Sequence, residues 1–492
     1  MSKLGSLRSG LKWGGASTLI VAGFQLLFMA MMARLLEPAD FGLVSIANVA
    51  LRFLSYFSQM GVGAAIIQKE KIGDGDISAA FSISLAVSIF CSLLALVCAS
   101  LVSQFFSMPL LKQVVWWLSL GFVFTGMGAV SNGLLRRSLR FKRLAINDAV
   151  AYIFGYGAIG LAFAFGGWGV WALVAASLSQ TLLSTILSYS ATSHSLSFKH
   201  SKNERRHFLS FGGKYSLVGF LEFLGSNLDA ILIGKTLGES AAGLYNRALL
   251  LANLPVQQPA NILTRALFPL LSSIGGQKEK ESISIQLSML LVGSYAFSIA
   301  GGISAASNDI VFVLLGVKWM ASAPVLKVLA ASVGPIFVSH VCGVSFDATG
   351  AIGLKLRIQI FTVVGLLCAL LFGAQAGLVG IAAAIVVIET FRMLIYLLFV
   401  VRMNGIVTVD ICRILFTHAI FGITAWLLVY AAVIFGSELK IAALRFALDM
   451  VAGGVSMVFS AALCRLFLSD SPSVRWLVGR VPKLARLFTY SQ

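Results

Sequence analysis

Runs of about twenty apolar residues follow one another along nearly the whole chain, separated by short joins that hold most of its charge. A hydrocarbon core about 30 Å thick asks for about 20 apolar residues per helix. Windows of that length place spans near 12–33, 41–67, 79–104, 113–135, 145–166, 168–190, 208–233, 242–273, 284–306, 323–347, 355–373, 377–401, 411–435 and 443–467. The pattern predicts an all-α polytopic membrane protein with about fourteen transmembrane helices, and joins too short for a soluble catalytic domain. Charges precede the first run as they do in a signal peptide. That run is long and lacks a small-residue cleavage site, so it is expected to stay as a span.

Composition agrees with the pattern. Of 492 residues, 58% are hydrophobic and 11% charged, too little polar surface to cover a soluble globule of this length. Lys and Arg number 37 against 19 Asp and Glu, a formal charge of +18, and the placement of those cations decides what it means. With the N-terminus in the cytoplasm, the joins rich in base, such as Arg136, Arg137, Arg140, Lys142 and Arg143, fall on one side together with the tail Arg475, Arg480, Lys483 and Arg486. The alternate joins hold only Arg34, Lys112, Lys235, Lys318, Lys440 and Arg445. The positive-inside rule then sets an even span count with both termini cytoplasmic. The charge reports topology, and no nucleic-acid partner is expected. Cys91, Cys98, Cys342, Cys368, Cys412 and Cys464 lie in or beside apolar runs and read as small buried hydrophobes. No P-loop, GxSxG, metal-ligand spacing or dinucleotide turn is present in the sequence, so neither a cofactor, a bound metal nor an enzyme is expected.

A repeat organises the spans. The segment from Arg34 to Leu43 aligns with that from Lys235 to Leu244 at a shift of 201 residues, and the join from Gly166 to Ala172 echoes that from Ala376 to Ala382. Each pair occupies the same place in a block of six spans. Six is even, so both blocks enter the membrane from one side, as parallel repeats about an axis along the membrane normal do. The expected division is an N-terminal lobe over 1–206 (spans 1–6), a C-terminal lobe over 207–405 (spans 7–12) related to it by a pseudo-two-fold axis, two appended spans over 406–468 and a basic cytoplasmic tail over 469–492.

Polar rows cross a few spans. In span 2, Asn48, Arg52, Ser55 and Gln59 stand at steps of four, three and four, so they share one helical face. Span 8 carries Asn246, Asn253, Gln257 and Asn261 at steps of seven, four and four, with Arg247 and Arg265 close to that face and Pro255 and Pro259 expected to kink it. Span 7 adds Glu222, Ser226 and Asp229. A charge at mid-membrane costs about 2.5–3.5 kcal/mol even on the lenient scale, so these groups should face protein or water. Either they line a hydrophilic cavity between the bundles whose arginines hold an anion, or Arg52, Glu222, Asp229 and Arg265 pair and lock the helices. Glu389 and Arg392, at i and i+3, read first as an intrahelical pair. As a group, Glu222, Asp229, Asp347 and Glu389 are the candidates for binding a coupling proton or cation.

The strings ARLLEPADFGLV (33–44), GVGAAIIQKE (61–70), LLRRSLRFKRLA (134–145), GGWGVWALV (166–174), SNLDAILIGKTLG (226–238), GLYNRALLLANLP (243–255), ALFPLLSSI (266–274) and LLGVKWMASAPVLKVLA (314–330) resemble the polysaccharide transporter branch of the multidrug/oligosaccharidyl-lipid/polysaccharide exporter superfamily. Within it the chain is most similar to O-antigen flippases and colanic-acid-type exporters of bacterial inner membranes. The likeness covers spans 1–12 and reaches spans 13 and 14 only through hydrophobicity. It implies a fourteen-helix fold with two lobes and a central cationic cavity working by alternating access, on an undecaprenyl-diphosphate-linked oligosaccharide turned from the cytoplasmic to the periplasmic leaflet. It also implies partnership with polysaccharide polymerase and chain-length machinery, and the lack of an ATP-binding motif points to a proton or sodium gradient. The resemblance brings no residue motif with it. The expected substrate-binding residues are therefore those of the rows: Asn48, Arg52, Gln59, Arg247, Asn253, Gln257, Gln258, Asn261 and Arg265. A lipid II flippase and a multidrug exporter of the same superfamily are the alternatives, with a polysaccharide polymerase or ligase as the enzyme-class one.

Overall fold

The computed structural model describes residues 23–59, 66–67, 69, 72–197, 227–274, 277–439 and 441–468. The first part of span 1, most of span 7 and the tail 469–492 lie outside the described residues. The regular structure among the described residues is helical throughout, and nine of its stretches are long and apolar enough to cross a membrane. One of the nine, Gly353–Asn404, contains two helices joined by a short turn. The chain divides into two compact units, Met1–Asn246 and Arg247–Gln492.

In the first unit, α1 is Gly23–Leu35, α2 Pro38–Gln59, α3 Asp74–Phe106, α4 Pro109–Arg137, α5 Phe141–Phe165 and α6 Val170–Thr192, followed by α7 at 227–236 and the start of α8, Gly238–Ser273. Local chemistry sets the ends. Proline opens both α2 and α4, where its missing N–H costs nothing. Asp74 and Asp76 sit in the first turn of α3, where the helix dipole favours them, and Asp76 accepts the Gly73 N–H at 3.1 Å. Small residues let the helices close up as in other membrane proteins. A Cβ on Gly126 of α4 would overlap Ser88 of α3, and one on Gly128 would sit 2.8 Å from Thr185 Oγ1 of α6. The same approaches are tied by hydrogen bonds, Ser84 Oγ to the Gly126 carbonyl at 3.0 Å and Thr185 Oγ1 to the Phe124 carbonyl at 2.9 Å. Arg137, one of the cations the sequence assigns to topology, also donates to the carbonyls of Ile66, Ile67 and Lys69 and so fastens the join after α2.

Two features were not expected. The middle of α5, Ile153–Gly160, is wound as a π-helix rather than an α-helix. It runs past close neighbours: a Cβ on Gly155 would lie 2.8 Å from the Ala176 carbonyl oxygen and the Gln180 nitrogen, and one on Gly157 would overlap the Phe28 ring. The second feature lies at the start of α2 and α8. A Cβ on Gly42 would overlap the Glu239 carbonyl, and one on Gly243 would overlap the Pro38 carbonyl. Each glycine therefore abuts the residue four before the other, and the sequence shift of 201 exchanges Gly42 with Gly243 and Pro38 with Glu239.

In the second unit, α8 continues to Ser273 and is followed by α9 (Lys278–Ala305), α10 (Ser307–Leu314), a 3₁₀ turn (Val317–Ser322), α11 (Ala323–Ala348), α12 (Ile352–Gly373), α13 (Gly377–Asn404), α14 (Thr408–Gly436) and α15 (Ala442–Leu468). α10 occupies what the sequence reads as a plain join between spans 9 and 10. Its apolar side is buried at Val311, beneath the fully buried Trp319 of the following turn. α8 stays one helix through both prolines, so the expected kink does not break it. Pro259 has no N–H to give the Pro255 carbonyl, and Tyr295 Oη donates to that carbonyl instead at 2.9 Å. The core gathers Leu267, Ile285, Val341, Phe346, Tyr396 and Ile414. Span 13, expected as an appendage, packs directly against α9. A Cβ on Gly301 of α9 would overlap the Gly422 carbonyl of α14, and one on Gly293 would overlap the His418 ring.

Candidate substrate-binding site

Asn48, Arg52 and Ser55 of the span 2 row line a cavity of about 180 Å³ in the first unit. Asn48, Arg52 and Ser55 project into it from α2, Gly121, Phe122 and Thr125 from α4, and Ser177 and Thr181 from α6. α2 can present a row at steps of four and three because these steps return to the same side of a helix of 3.6 residues per turn. Among the described residues no carboxylate pairs with Arg52. The hydroxyls around it are oriented by the backbone: Ser55 Oγ donates to the Arg52 carbonyl at 2.8 Å, Thr125 Oγ1 to Gly121 at 2.8 Å and Thr181 Oγ1 to Ser177 at 2.9 Å. Their protons are spent, so each turns acceptor lone pairs toward the cavity. The wall thus offers one delocalised cation and several acceptors, a surface for an anionic group next to sugar hydroxyls. Thr125, Ser177 and Thr181 were not singled out in the sequence, where isolated hydroxyls in apolar helices look like packing residues.

On α7, Asp229 accepts hydrogen bonds from the Tyr245 hydroxyl of α8 and from the Ala230 N–H at 2.8 Å. Its neighbour Asn227 is buried. The structure thus joins Asp229 to Tyr245 within the first unit. Tyr245→Phe keeps the ring and removes the donor, so thermal unfolding of the purified protein should show a loss of about 1–3 kcal/mol, the cost of a stranded buried acceptor. On α8, Asn246, Arg247 and Asn253 are half-buried, and Arg247 is engaged by neighbouring groups. The side chains of Gln59, Gln257, Gln258, Asn261 and Arg265, and the whole of Glu222, lie outside the described residues.

The remaining carboxylates sit in the second unit. Asp347 at the end of α11 pairs with Lys355 of α12, its two oxygens accepting from Nζ at 2.8 and 2.7 Å. Glu389 and Arg392 of α13 form an i, i+3 ion pair, as their spacing suggests. Among the described residues no group of three His, Cys, Asp or Glu side chains could hold a metal ion.

A family profile described as "Polysaccharide biosynthesis protein" matches residues 31–324, more than half of the chain and the whole of the cavity just described. The chain belongs to that family. Among polysaccharide biosynthesis proteins it is similar to the lipopolysaccharide biosynthesis protein WzxC of Escherichia coli K12, 23% identical over 390 residues that cover 79% of each chain. Its fold is that of solved transporters. A lipid II flippase MurJ in an inward closed conformation superposes with a TM-score of 0.71 over 93% of this chain and 99% of its own, at 13% identity. An inward-facing multidrug resistance MATE transporter of the MOP superfamily gives 0.61 over 78% and 94%, at 14% identity. This polysaccharide biosynthesis protein is a multi-pass helical membrane protein, and the solved structures whose fold it shares are transporters.

Proposed function

We propose that the protein turns an undecaprenyl-diphosphate-linked oligosaccharide, a repeat unit of O-antigen or exopolysaccharide, from the cytoplasmic to the periplasmic leaflet of a bacterial inner membrane. Both termini face the cytoplasm, and access alternates between the two sides. The observation that carries this reading is Arg52 standing in a polar cavity with no carboxylate pairing it among the described residues, ringed by hydroxyl acceptors on three helices. A diphosphate or an acidic sugar brought from water into low dielectric loses its hydration, and a forked guanidinium replaces part of it by charge-assisted hydrogen bonds. Asn48, Ser55, Thr125 and Thr181 exchange hydrogen bonds with sugar hydroxyls. Gln59, Arg247, Asn253, Gln257, Gln258, Asn261 and Arg265 are the sequence candidates for further contacts to the glycan, and the polyprenyl tail remains in lipid.

The sequence holds no ATP-binding motif, so an ion gradient drives the cycle, with Glu222, Asp229, Asp347 and Glu389 as sequence candidates for the ion. Polymerase and chain-length proteins receive the product. In proteoliposomes loaded with a purified undecaprenyl-diphosphate oligosaccharide, a glycan-modifying enzyme outside the vesicle reads translocation. Imposed proton or sodium gradients should accelerate it, and flux unchanged after the gradient is collapsed would rule the coupling out. Accumulation of a cationic drug without glycan movement would favour the multidrug reading instead.

A further inference from the structure

Among the described side chains of α15, one stripe is packed against protein, while Leu444, Val451, Val455, Val458 and Phe459 are exposed. That packed stripe is polar: Arg445, Asp449, Gly453, Ser456 and Ser460 follow at steps of four, four, three and four. Asp449 is 4% exposed, and among the described residues neither of its carboxylate oxygens has a hydrogen-bond partner. Among the described residues the charges facing it are Arg445 one turn away on its own helix and Asp309 on α10, which packs against α15. Arg445 Nε lies 3.8 Å from Asp309 Oδ1, too far for a hydrogen bond. From α14 the facing stretch Val429–Gly436 offers no ionisable side chain but the exposed Tyr430, and the outer turn of α9, Gly301–Ala305, offers none. Two carboxylates against one guanidinium leave a net negative charge in a low-dielectric seam, which is unfavourable unless something neutralises it. A metal ion is disfavoured by the adjacent arginine and by the lack, among the described residues, of a third acidic, His or Cys ligand. A proton needs neither.

The stripe continues inward. Ser460 shares a hydrogen bond with Thr424 of α14, and both Ser456 and Ser460 are fully buried. Farther along α14, His418 donates from Nε2 to the Met289 carbonyl of α9 at 3.0 Å, which leaves Nδ1 as an acceptor with no partner among the described residues. Ser294 and Ser298 of α9 each follow a residue that touches the His418 ring, Gly293 and Phe297, and their buried hydroxyls are also unpartnered among the described residues. At 1.5 Å per residue, the path from Asp449 to Ser460 and on from Thr424 to His418 covers about 25 Å, most of a hydrocarbon core of about 30 Å.

We propose that the seam of α9, α14 and α15 is a proton path, with Asp449 as its outer protonation site and His418 as its inner relay. Ser456, Ser460, Thr424, Ser298 and Ser294 bridge the two, with water between them. The path assigns the coupling ion of the proposed transport cycle to a proton, and it rests on that cycle only for the second arm of the test.

Infrared difference spectra of the full-length protein in lipid nanodiscs, titrated from about pH 5 to about pH 9, read protonated carboxyls directly. A protonated-carboxyl band present in the wild type and lost in Asp449→Asn is the expected result. A band unchanged by that substitution overturns the proposal whatever the protein transports. Asn keeps the shape of the side chain, and thermal unfolding of the same sample checks that the fold is retained. In a host lacking its own flippase, Asp449→Asn and His418→Gln should each lower surface-glycan export at least about tenfold, while Ser339→Ala, a buried serine outside the seam, leaves it unchanged. Wild-type export by both seam variants would overturn the path's role in coupling. Failure of the wild-type protein to export glycan would overturn the transport reading instead, and the infrared result would still decide the proton site.

Discussion

Arg52→Ala is expected to abolish surface polysaccharide while the protein remains in the membrane at its normal level. Arg52 is exposed on α2 and pairs with no carboxylate among the described residues, so the fold does not depend on it. An arginine that locked helices together would behave in the opposite way: removing one partner of a buried pair costs about 3–5 kcal/mol and the protein would be degraded. On the proposed function, the substitution removes the counter-charge for a desolvated anion. Losing that in a buried hydrogen-bonded contact costs about 2–5 kcal/mol, roughly 30-fold to several thousand-fold in the rate of a step that depends on it. Arg52→Lys keeps the charge and loses the planar fork, so export should recover in part. Membrane immunoblots beside glycan staining of the cell surface separate the two cases, and normal glycan with Arg52→Ala would remove the anion site.

The second large effect belongs to stability. Gly42→Val and Gly243→Val should each prevent α2 and α8 from meeting within the first unit, because at both positions the new Cβ would occupy the space of a backbone carbonyl. A flexible side chain can swing away from an added methyl group. A helical carbonyl cannot, since it is held by its own hydrogen-bond ladder. Overpacking of ordinary cores costs about 1–3 kcal/mol, and a clash of backbone with Cβ should lie at or above the top of that range. Fluorescence-detected size exclusion after heating is the measurement. Gly353→Val, on α12 where an added Cβ meets nothing within 4 Å, is the control and should change little. Equal melting of the Gly42 variant and this control would show that the crossing is not a determinant of the fold.

How much of this was legible in the sequence follows from what each feature needs. Spans need only a run of apolar residues, and so the windows found α3, α4, α6, α9, α11 and α13 within a few residues of their ends. The short α10 is hidden because eight residues make no hydropathy window, and α14 looks like an appendage in the sequence because its glycine contacts with α9 lie more than a hundred residues apart in the chain. The row on α2 was visible because one helix carries all of it. Thr125, Ser177 and Thr181 complete the cavity from two other helices, and no spacing along one segment reports such convergence. The Asp449 stripe did have a signal at helical steps from Arg445 to Ser460. It is obscured because Arg445 also fits a charge in a join and serines in apolar helices also fit packing residues.

The π-wound stretch of α5 has its own arithmetic. An α-helix turns about 100° per residue, and a π turn takes in roughly one residue more than an α turn, so Phe141–Tyr152 and Leu161–Phe165 do not share one α-helical register. A wheel diagram drawn from the start of this helix therefore names the wrong side chains as neighbours by the time it reaches the end. Paired-cysteine designs between α5 and either α1 or α6 need their register counted separately on each flank of Gly155 and Gly160.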